Sequence, residues 1–85
     1  MLSAARIKQL KSLHQKKYRR QENQFLLEGN RLIDQALSAD AQLLEVWMTQ
    51  KSLNSIFGKN ILQKLEKKNI PFSLAPNKII RQISD

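Results

Sequence analysis

The residues most able to do chemistry in this chain form a basic cluster around one aromatic residue, Lys16-Lys17-Tyr18-Arg19-Arg20. On a helix these side chains spread over most of the circumference, so several of them could reach phosphate groups at once. Tyr18 could stack on an exposed base, although we expect it to pack against the core. The cluster favours contact with RNA or DNA; a solvated helix face and an anionic membrane surface are the alternatives.

A second candidate site is the run Glu28-Gly29-Asn30-Arg31, which lies between a short apolar stretch and a helical pattern. Gly29 permits the positive φ of a tight turn, Asn30 is a residue type that caps helices, and the backbone N–H groups at a helix start favour an anion. Arg31 would lie beside that anion. On these residues alone an ordinary capped turn is favoured, with Glu28 hydrogen-bonding nearby backbone.

The charge of the chain supports a polyanionic partner. Fifteen Lys and Arg residues oppose seven Asp and Glu residues, which gives a net charge of +8. Residues 1–31 hold eight basic and two acidic residues, a net of +6, and the other 54 residues hold seven and five, a net of +2. Because a focused basic surface binds polyanions by releasing their counterions, RNA, DNA and anionic membranes are the candidate partners.

The composition gives little support for a catalytic site or a metal-binding site. His14 is the only histidine, and it has no acidic residue at a metal-ligand or relay spacing, so we expect it to be a bystander. The chain has no cysteine, which excludes disulfides and thiolate metal sites and favours a reducing cytoplasm. No apolar run is long enough to span a bilayer. Residues 1–21 are basic and lack acidic residues, a pattern that also suits a mitochondrial transit peptide.

Strands and helices are predicted to alternate along the chain. Short runs of apolar and β-forming residues predict three strands, at Gln24–Glu28, Leu43–Thr49 and Phe72–Leu74. Each is flanked by a helical pattern, so the order is helix, strand, helix, strand, helix, strand, helix. This order predicts an α/β fold with a mostly parallel sheet and helices on both faces. Trp47 alternates along its strand and is expected to pack beneath a helix.

The helices are predicted from apolar spacing. The first extends from Ala4 to Gln24, and its apolar stripe consists of Ile7, Leu10 and Leu13. The helix after Asn30 has apolar residues at helical spacing. The third helical stretch covers 53–65 with a possible break at Gly58, and the last begins at Pro76.

The stretch Ile7–Leu37, IKQLKSLHQKKYRRQENQFLLEGNRLIDQAL, resembles the opening of RNA methyltransferases of the SpoU/TrmH family. That opening has a basic helix with a K-K-x-R-type cluster, a short apolar strand, an E-G-x-R/K turn and an apolar helix. The resemblance continues through 43–49 and 74–85, where the family ends its domain with a Ser-Asp pair, here Ser84-Asp85. Ala75 departs from the family, which often has a polar helix cap there.

The resemblance implies that residues 1–85 form a single substrate-binding domain, a three-layer α/β/α sandwich resembling kink-turn-binding ribosomal proteins. Such a domain holds RNA, with ribosomal RNA as the expected class, while a separate knotted catalytic domain binds S-adenosylmethionine and methylates a ribose 2′-hydroxyl. Catalytic and cofactor-binding residues are therefore expected outside this chain. The expected RNA contacts are Lys11, Lys16, Lys17, Arg19, Arg20, Gly29, Asn30 and Arg31.

The resemblance also implies a monomeric isolated domain, a homodimeric full-length protein and no membrane partner. Two other hypotheses remain open on the sequence. The chain could be a free-standing RNA-binding protein related to the ribosomal ones, with no enzymatic activity. It could also be a peripheral membrane binder that uses its amphipathic first helix.

Overall fold

The computed structural model describes residues 2–84, which form six helices and two strands. Asp85, the second member of the Ser-Asp pair, lies outside the described residues. In chain order the elements are α1 (Ala4–Ser12), α2 (Lys16–Glu22), α3 (Asn30–Ser38), β1 (Val46–Met48), α4 (Gln50–Asn54), α5 (Ile56–Lys67), β2 (Phe72–Leu74) and α6 (Asn77–Ser84). No helix among them is both long and apolar enough to cross a bilayer.

The two strands pair in parallel, with Val46 opposite Phe72 and Met48 opposite Leu74. A parallel pair needs a crossover connection, and α4 and α5 provide it here. The structure confirms the predicted strands within 43–49 and 72–74, and it confirms that they run parallel. The sheet is nevertheless smaller than expected, because the described residues contain two strands rather than three.

Helices pack against both faces of β1. Successive strand side chains point to opposite faces, so Val46 and Met48 share one face and Trp47 lies on the other. The first face packs against buried residues of α3 and α5, which are Ile33, Leu37, Ile61 and Leu65. Trp47 packs against a second cluster formed by Leu10, Leu13 and Ile83. The fold is therefore mixed α/β, and Trp47 has the packing role expected from the sequence.

The prediction of a strand at Gln24–Glu28 is wrong. This segment has no regular secondary structure, and the sheet of the described chain consists of β1 and β2 alone. Leu26 packs against the Leu10 and Leu13 cluster, whereas the neighbouring Phe25 is exposed. The apolar run thus contributes the Leu26 side chain to the core, and within the described chain it does not pair with another strand. A short apolar run by itself does not show whether a partner strand is available.

The predicted first helix is divided into α1 and α2 by a turn at residues 13–15. Leu10 and Leu13 are buried as the apolar stripe requires. The turn is held partly by His14, whose Nε2 lies 2.7 Å from the carbonyl oxygen of Ile83 in α6. The ring of His14 therefore joins this turn to the last helix, a structural role separate from the expectation that His14 takes no part in chemistry.

The third helical stretch is also divided, at Ser55 and not at Gly58. The Ser55 hydroxyl accepts a hydrogen bond of 2.9 Å from the Gly58 amide and so caps the start of α5. It also donates to the Ser52 carbonyl at 2.6 Å, which closes α4. Gly58 is buried inside α5, against the Ser52 backbone.

Candidate nucleic-acid interface

A groove of ≈ 610 Å³ opens between the turn that joins α1 to α2 and the irregular segment that follows α2. We call it the basic groove, since its lining, within the described part of the chain, contains three basic residues and no acidic one. The polar and aromatic residues that face it include Lys16, Arg19, Arg20, Asn23, Gln24 and Phe25. The groove therefore combines positive charge, side-chain amides and one aromatic ring.

The basic groove exists because the chain reverses direction at Asn23. This residue ends α2 in the left-handed conformation, with φ 54°, a region that Asn tolerates better than most residues. The backbone amide of Gln24 donates to the Arg19 carbonyl at 3.2 Å, which tightens the reversal. Leu26 then returns to the core. Phe25, between these two fixed points, is left 68% exposed.

Arg19 and Arg20 are adjacent but have different roles in the groove. Arg19 Nη1 donates to the carbonyl oxygens of His14 at 2.8 Å and of Leu13 at 3.2 Å. It therefore holds the end of α1 and the turn that follows it. Arg20 is exposed, and no hydrogen bond to the described protein occupies its guanidinium. Its charge is available to an anionic ligand.

Acidic residues elsewhere neutralise basic side chains outside the groove. Arg6 pairs with Glu45 at 2.6 Å, Lys64 pairs with Asp34 at 2.6 Å, and Lys68 pairs with Asp40. None of these three pairs of the described chain includes a residue of α2. Within the described residues, the positive charge that lines the groove is consequently not cancelled by ion pairs, and it can attract phosphate.

Asp40 is the acidic residue with a clear change of pKa. The hydrogen bond that Lys68 donates to its carboxylate, together with the positive charge of Lys68, lowers the pKa of Asp40 below its ordinary value. The carboxylate is exposed, and the pair fastens the end of α3 to the end of α5. This contact belongs to the scaffold and not to the basic groove.

The structure brings three of the eight predicted contacts together in the basic groove: Lys16, Arg19 and Arg20. Lys11 is exposed in the last turn of α1. Lys17 is also exposed, and its Nζ lies 5.6 Å from the centroid of the half-buried Tyr18 ring. These two lysines belong to the same pair of helices but do not line the groove.

Gly29, Asn30 and Arg31 lie at the start of α3, outside the groove lining. Gly29 has φ 98°, so the predicted positive φ is confirmed. The prediction that Asn30 caps α3 is wrong: Gly29 occupies the cap position, and Asn30 Nδ2 donates to the Ser52 hydroxyl at 2.6 Å. Arg31 is exposed. Because residues 24–28 link α2 to this turn, the turn lies within roughly 20 Å of Asn23.

The sequence interpretation did not place Asn23, Gln24 or Phe25 among the contacts, and Phe25 is the aromatic one of these three groove residues. It was assigned to a buried strand, where its ring would face the core. The signal that could have identified it is positional: it follows a basic helix directly, after the two amide residues Asn23 and Gln24. Trp47, by contrast, packs on the second core cluster, and the Arg6 guanidinium lies 5.8 Å from its ring centroid.

The family model for the MRM3-like substrate binding domain matches residues 4–85. The chain belongs to this family. The matched range begins at the first residue of α1 and includes the basic groove, the start of α3 and both strands of this MRM3-like domain. No curated protein and no solved structure matches the chain significantly. A substrate-binding assignment agrees with the positively charged groove on the surface of the chain.

Proposed function

We propose that this chain is the RNA-binding part of a ribosomal RNA 2′-O-ribose methyltransferase of the SpoU/TrmH kind. Membership of the MRM3-like substrate binding domain family supports a methyltransferase substrate domain. The observation that carries the proposal is the basic groove, in which Lys16, Arg19 and Arg20 line a concave surface with no acidic residue among its described lining. RNA is the methyltransferase substrate that such a surface would bind.

The role of the domain in this proposal is to position RNA. Contacts from Lys and Arg to phosphate oxygens fix the register and orientation of a nucleic acid without reading its sequence. Lys16 and Arg20 supply such contacts in the groove. Lys11 and Lys17, on the same two helices, and Arg31, at the start of α3, extend the positive surface. Gly29 and Asn30 would contribute backbone amides at that helix start.

We assign methyl transfer to another domain, because neither of the two cavities described within residues 2–84 favours S-adenosylmethionine. The sulfonium, ammonium and carboxylate groups of the cofactor give it a net positive charge, which the basic groove would repel. A smaller cavity, beside Arg6 and Trp47, measures ≈ 170 Å³, below the roughly 300 Å³ at which small-molecule sites begin. We therefore propose that S-adenosylmethionine binds in a separate catalytic domain.

The proposal includes several properties of the wider protein. The fold is a small relative of the three-layer α/β/α sandwich of kink-turn-binding ribosomal proteins, a kinship that the helices on both faces of β1 support. The isolated domain is monomeric, and the full-length enzyme is a cytoplasmic homodimer held together by its catalytic domain.

A salt-dependent binding titration tests the proposal. The 85-residue chain is titrated with a structured ribosomal RNA fragment and with a DNA duplex of the same sequence. We expect tighter binding to RNA, and a double variant Lys16→Ala/Arg20→Ala should lower the salt slope by about one for each phosphate that the variant no longer neutralises. Equal affinity for the two nucleic acids would contradict a role in RNA substrate binding.

The matched control is Lys67→Ala/Lys78→Ala, which removes the same charge at two exposed positions that do not line the groove. This control should leave the salt slope nearly unchanged. An equal decrease of the slope in both double variants would show that net charge, and not the groove, determines binding.

A further inference from the structure

Phe25 is the most exposed aromatic residue among residues 2–84, with 68% of its surface accessible. Single exposed apolar residues are common on proteins and need no explanation by themselves. This one differs in its surroundings, because it lines a concave groove together with Lys16, Arg20 and two amide side chains. An aromatic ring among cations and amides is the composition of a site that binds single-stranded nucleic acid.

The backbone on both sides of Phe25 is fixed. Before it, Asn23 caps α2 in the left-handed conformation, and the Gln24 amide donates to the Arg19 carbonyl oxygen at 3.2 Å. After it, Leu26 packs against the second core cluster. The backbone of Phe25 is therefore held at the groove surface by its neighbours, so this backbone would lose little conformational entropy on binding.

We propose that the basic groove binds one unpaired RNA nucleotide, whose base stacks on the ring of Phe25. This inference rests on the proposed function. Lys16 and Arg20 hold the flanking phosphates, while the amides of Asn23 and Gln24 hydrogen-bond the base edge, since an amide both donates and accepts.

An unpaired nucleotide fits the groove better than a duplex does. In a double helix both faces of each base are covered by its neighbours, and the deep major groove of A-form RNA does not admit side chains. An aromatic ring can stack only on a base that has left the helix, as in a loop or a bulge. The substrate class that follows is structured RNA with an extruded nucleotide.

Two RNA hairpins of the same stem sequence test this inference, each closed by a non-nucleotide linker so that neither contains unpaired loop nucleotides. One carries a single bulged 2-aminopurine, and the other is fully paired. We expect the wild-type chain to prefer the bulged hairpin by about tenfold, the effect of one stacked base, and to quench the 2-aminopurine fluorescence. Phe25→Ala should abolish the preference and the quenching, and Phe25→Trp should retain both.

Ile56→Ala is the matched control, because Ile56 is also an exposed apolar residue, 82% accessible, and does not line the groove. Thermal unfolding of each variant checks that the fold persists. Equal binding of the wild type to both hairpins, with a steep salt dependence, would overturn the inference and leave the proposed function standing. Binding to neither hairpin would overturn both.

Two further outcomes decide the role of Phe25. If Phe25→Ala binds the bulged hairpin as the wild type does and still quenches it, the base stacks elsewhere and the inference is wrong. If Phe25→Ala weakens binding to both hairpins equally, Phe25 shapes the groove without contacting an unpaired base. That result also overturns the inference.

Discussion

The Asn30 side-chain amide donates a 2.6 Å hydrogen bond to the Ser52 hydroxyl, which joins the first residue of α3 to α4. The start of α3 is therefore positioned by another helix and not by a side-chain cap of its own. Ser52 also contacts α5, since its backbone lies against Gly58. One serine thus links three helices, and any contribution of Asn30 to RNA binding must be separated from this scaffold role.

A double-mutant cycle measures the link between Asn30 and Ser52. We expect Asn30→Ala to lower the free energy of unfolding by about 1 kcal/mol, because the hydrogen bond is partly buried. After Ser52→Ala, the same change at Asn30 should cost less, with a coupling energy of at least about 0.5 kcal/mol. Urea unfolding of the four proteins gives these values. Strictly additive effects would mean that the hydrogen bond does not stabilise the fold.

The strands and the core stripes could be predicted from the sequence, because their signals are local. The runs around Val46 and Phe72 are rich in β-forming residues, and both became strands. Leu10 and Leu13 lie three residues apart in one apolar stripe, Ile33 and Leu37 lie four residues apart in another, and all four are buried. The basic cluster was identified from residue type alone, and three of its members line the groove.

The features that escaped prediction depend on tertiary contacts. Whether the run at 24–28 pairs as a strand depends on a free sheet edge elsewhere, and Leu26 instead packs on α1. The break between α1 and α2 depends on Arg19, whose carbonyl partners lie five and six residues earlier. The groove itself follows from the reversal at Asn23, so Phe25 could not be assigned to it from apolar spacing.

Gly58→Ala tests the close approach of α5 to α4. Ala normally favours a helix interior over Gly by about 1 kcal/mol. Here, however, an added Cβ would lie 2.7 Å from the Ser52 carbonyl carbon and closer still to its oxygen. We expect a net decrease of roughly 1–3 kcal/mol in unfolding free energy, as for other overpacked sites. The measurement is urea unfolding.

Lys59→Ala is the control for Gly58→Ala, because Lys59 is exposed at the next position of α5. It should change the unfolding free energy by no more than about 0.5 kcal/mol. If Gly58→Ala were as stable as the control, α4 and α5 would have to separate without cost, contrary to the packing described.

The Asp40 carboxylate predicts a pH-dependent stabilisation. Its pKa is lowered in the folded chain by the hydrogen bond and charge of Lys68. The stabilisation is therefore fully present above the pKa of the unfolded chain, and it is lost as the pH falls through the lower, folded pKa. Asp40→Asn should be less stable than the wild type at neutral pH, and this difference should vanish in acid.

Asparagine suits this test, because residue 40 has φ 55°, a left-handed conformation that both Asp and Asn tolerate. The backbone is thus kept while the charge is removed. Urea unfolding of both proteins from neutral pH to below pH 3.8, the ordinary pKa of Asp, measures the difference. A stability difference that stays constant over this range would show that the Asp40 charge is not its source.

Single alanine substitutions at Arg19 and Arg20 distinguish a structural role from a role in phosphate binding. Each substitution removes one positive charge, and the two positions are neighbours. Arg19→Ala also removes two hydrogen bonds to carbonyl oxygens, so it should lower the unfolding free energy by about 1–2 kcal/mol. Arg20→Ala should change stability by no more than about 0.5 kcal/mol and still lower the salt slope of RNA binding by about one. Urea unfolding and salt titration of the same two proteins provide both readings. A large decrease in the stability of Arg20→Ala would show that the Arg20 guanidinium stabilises the fold. An unchanged salt slope would show that Arg20 does not contact RNA phosphate.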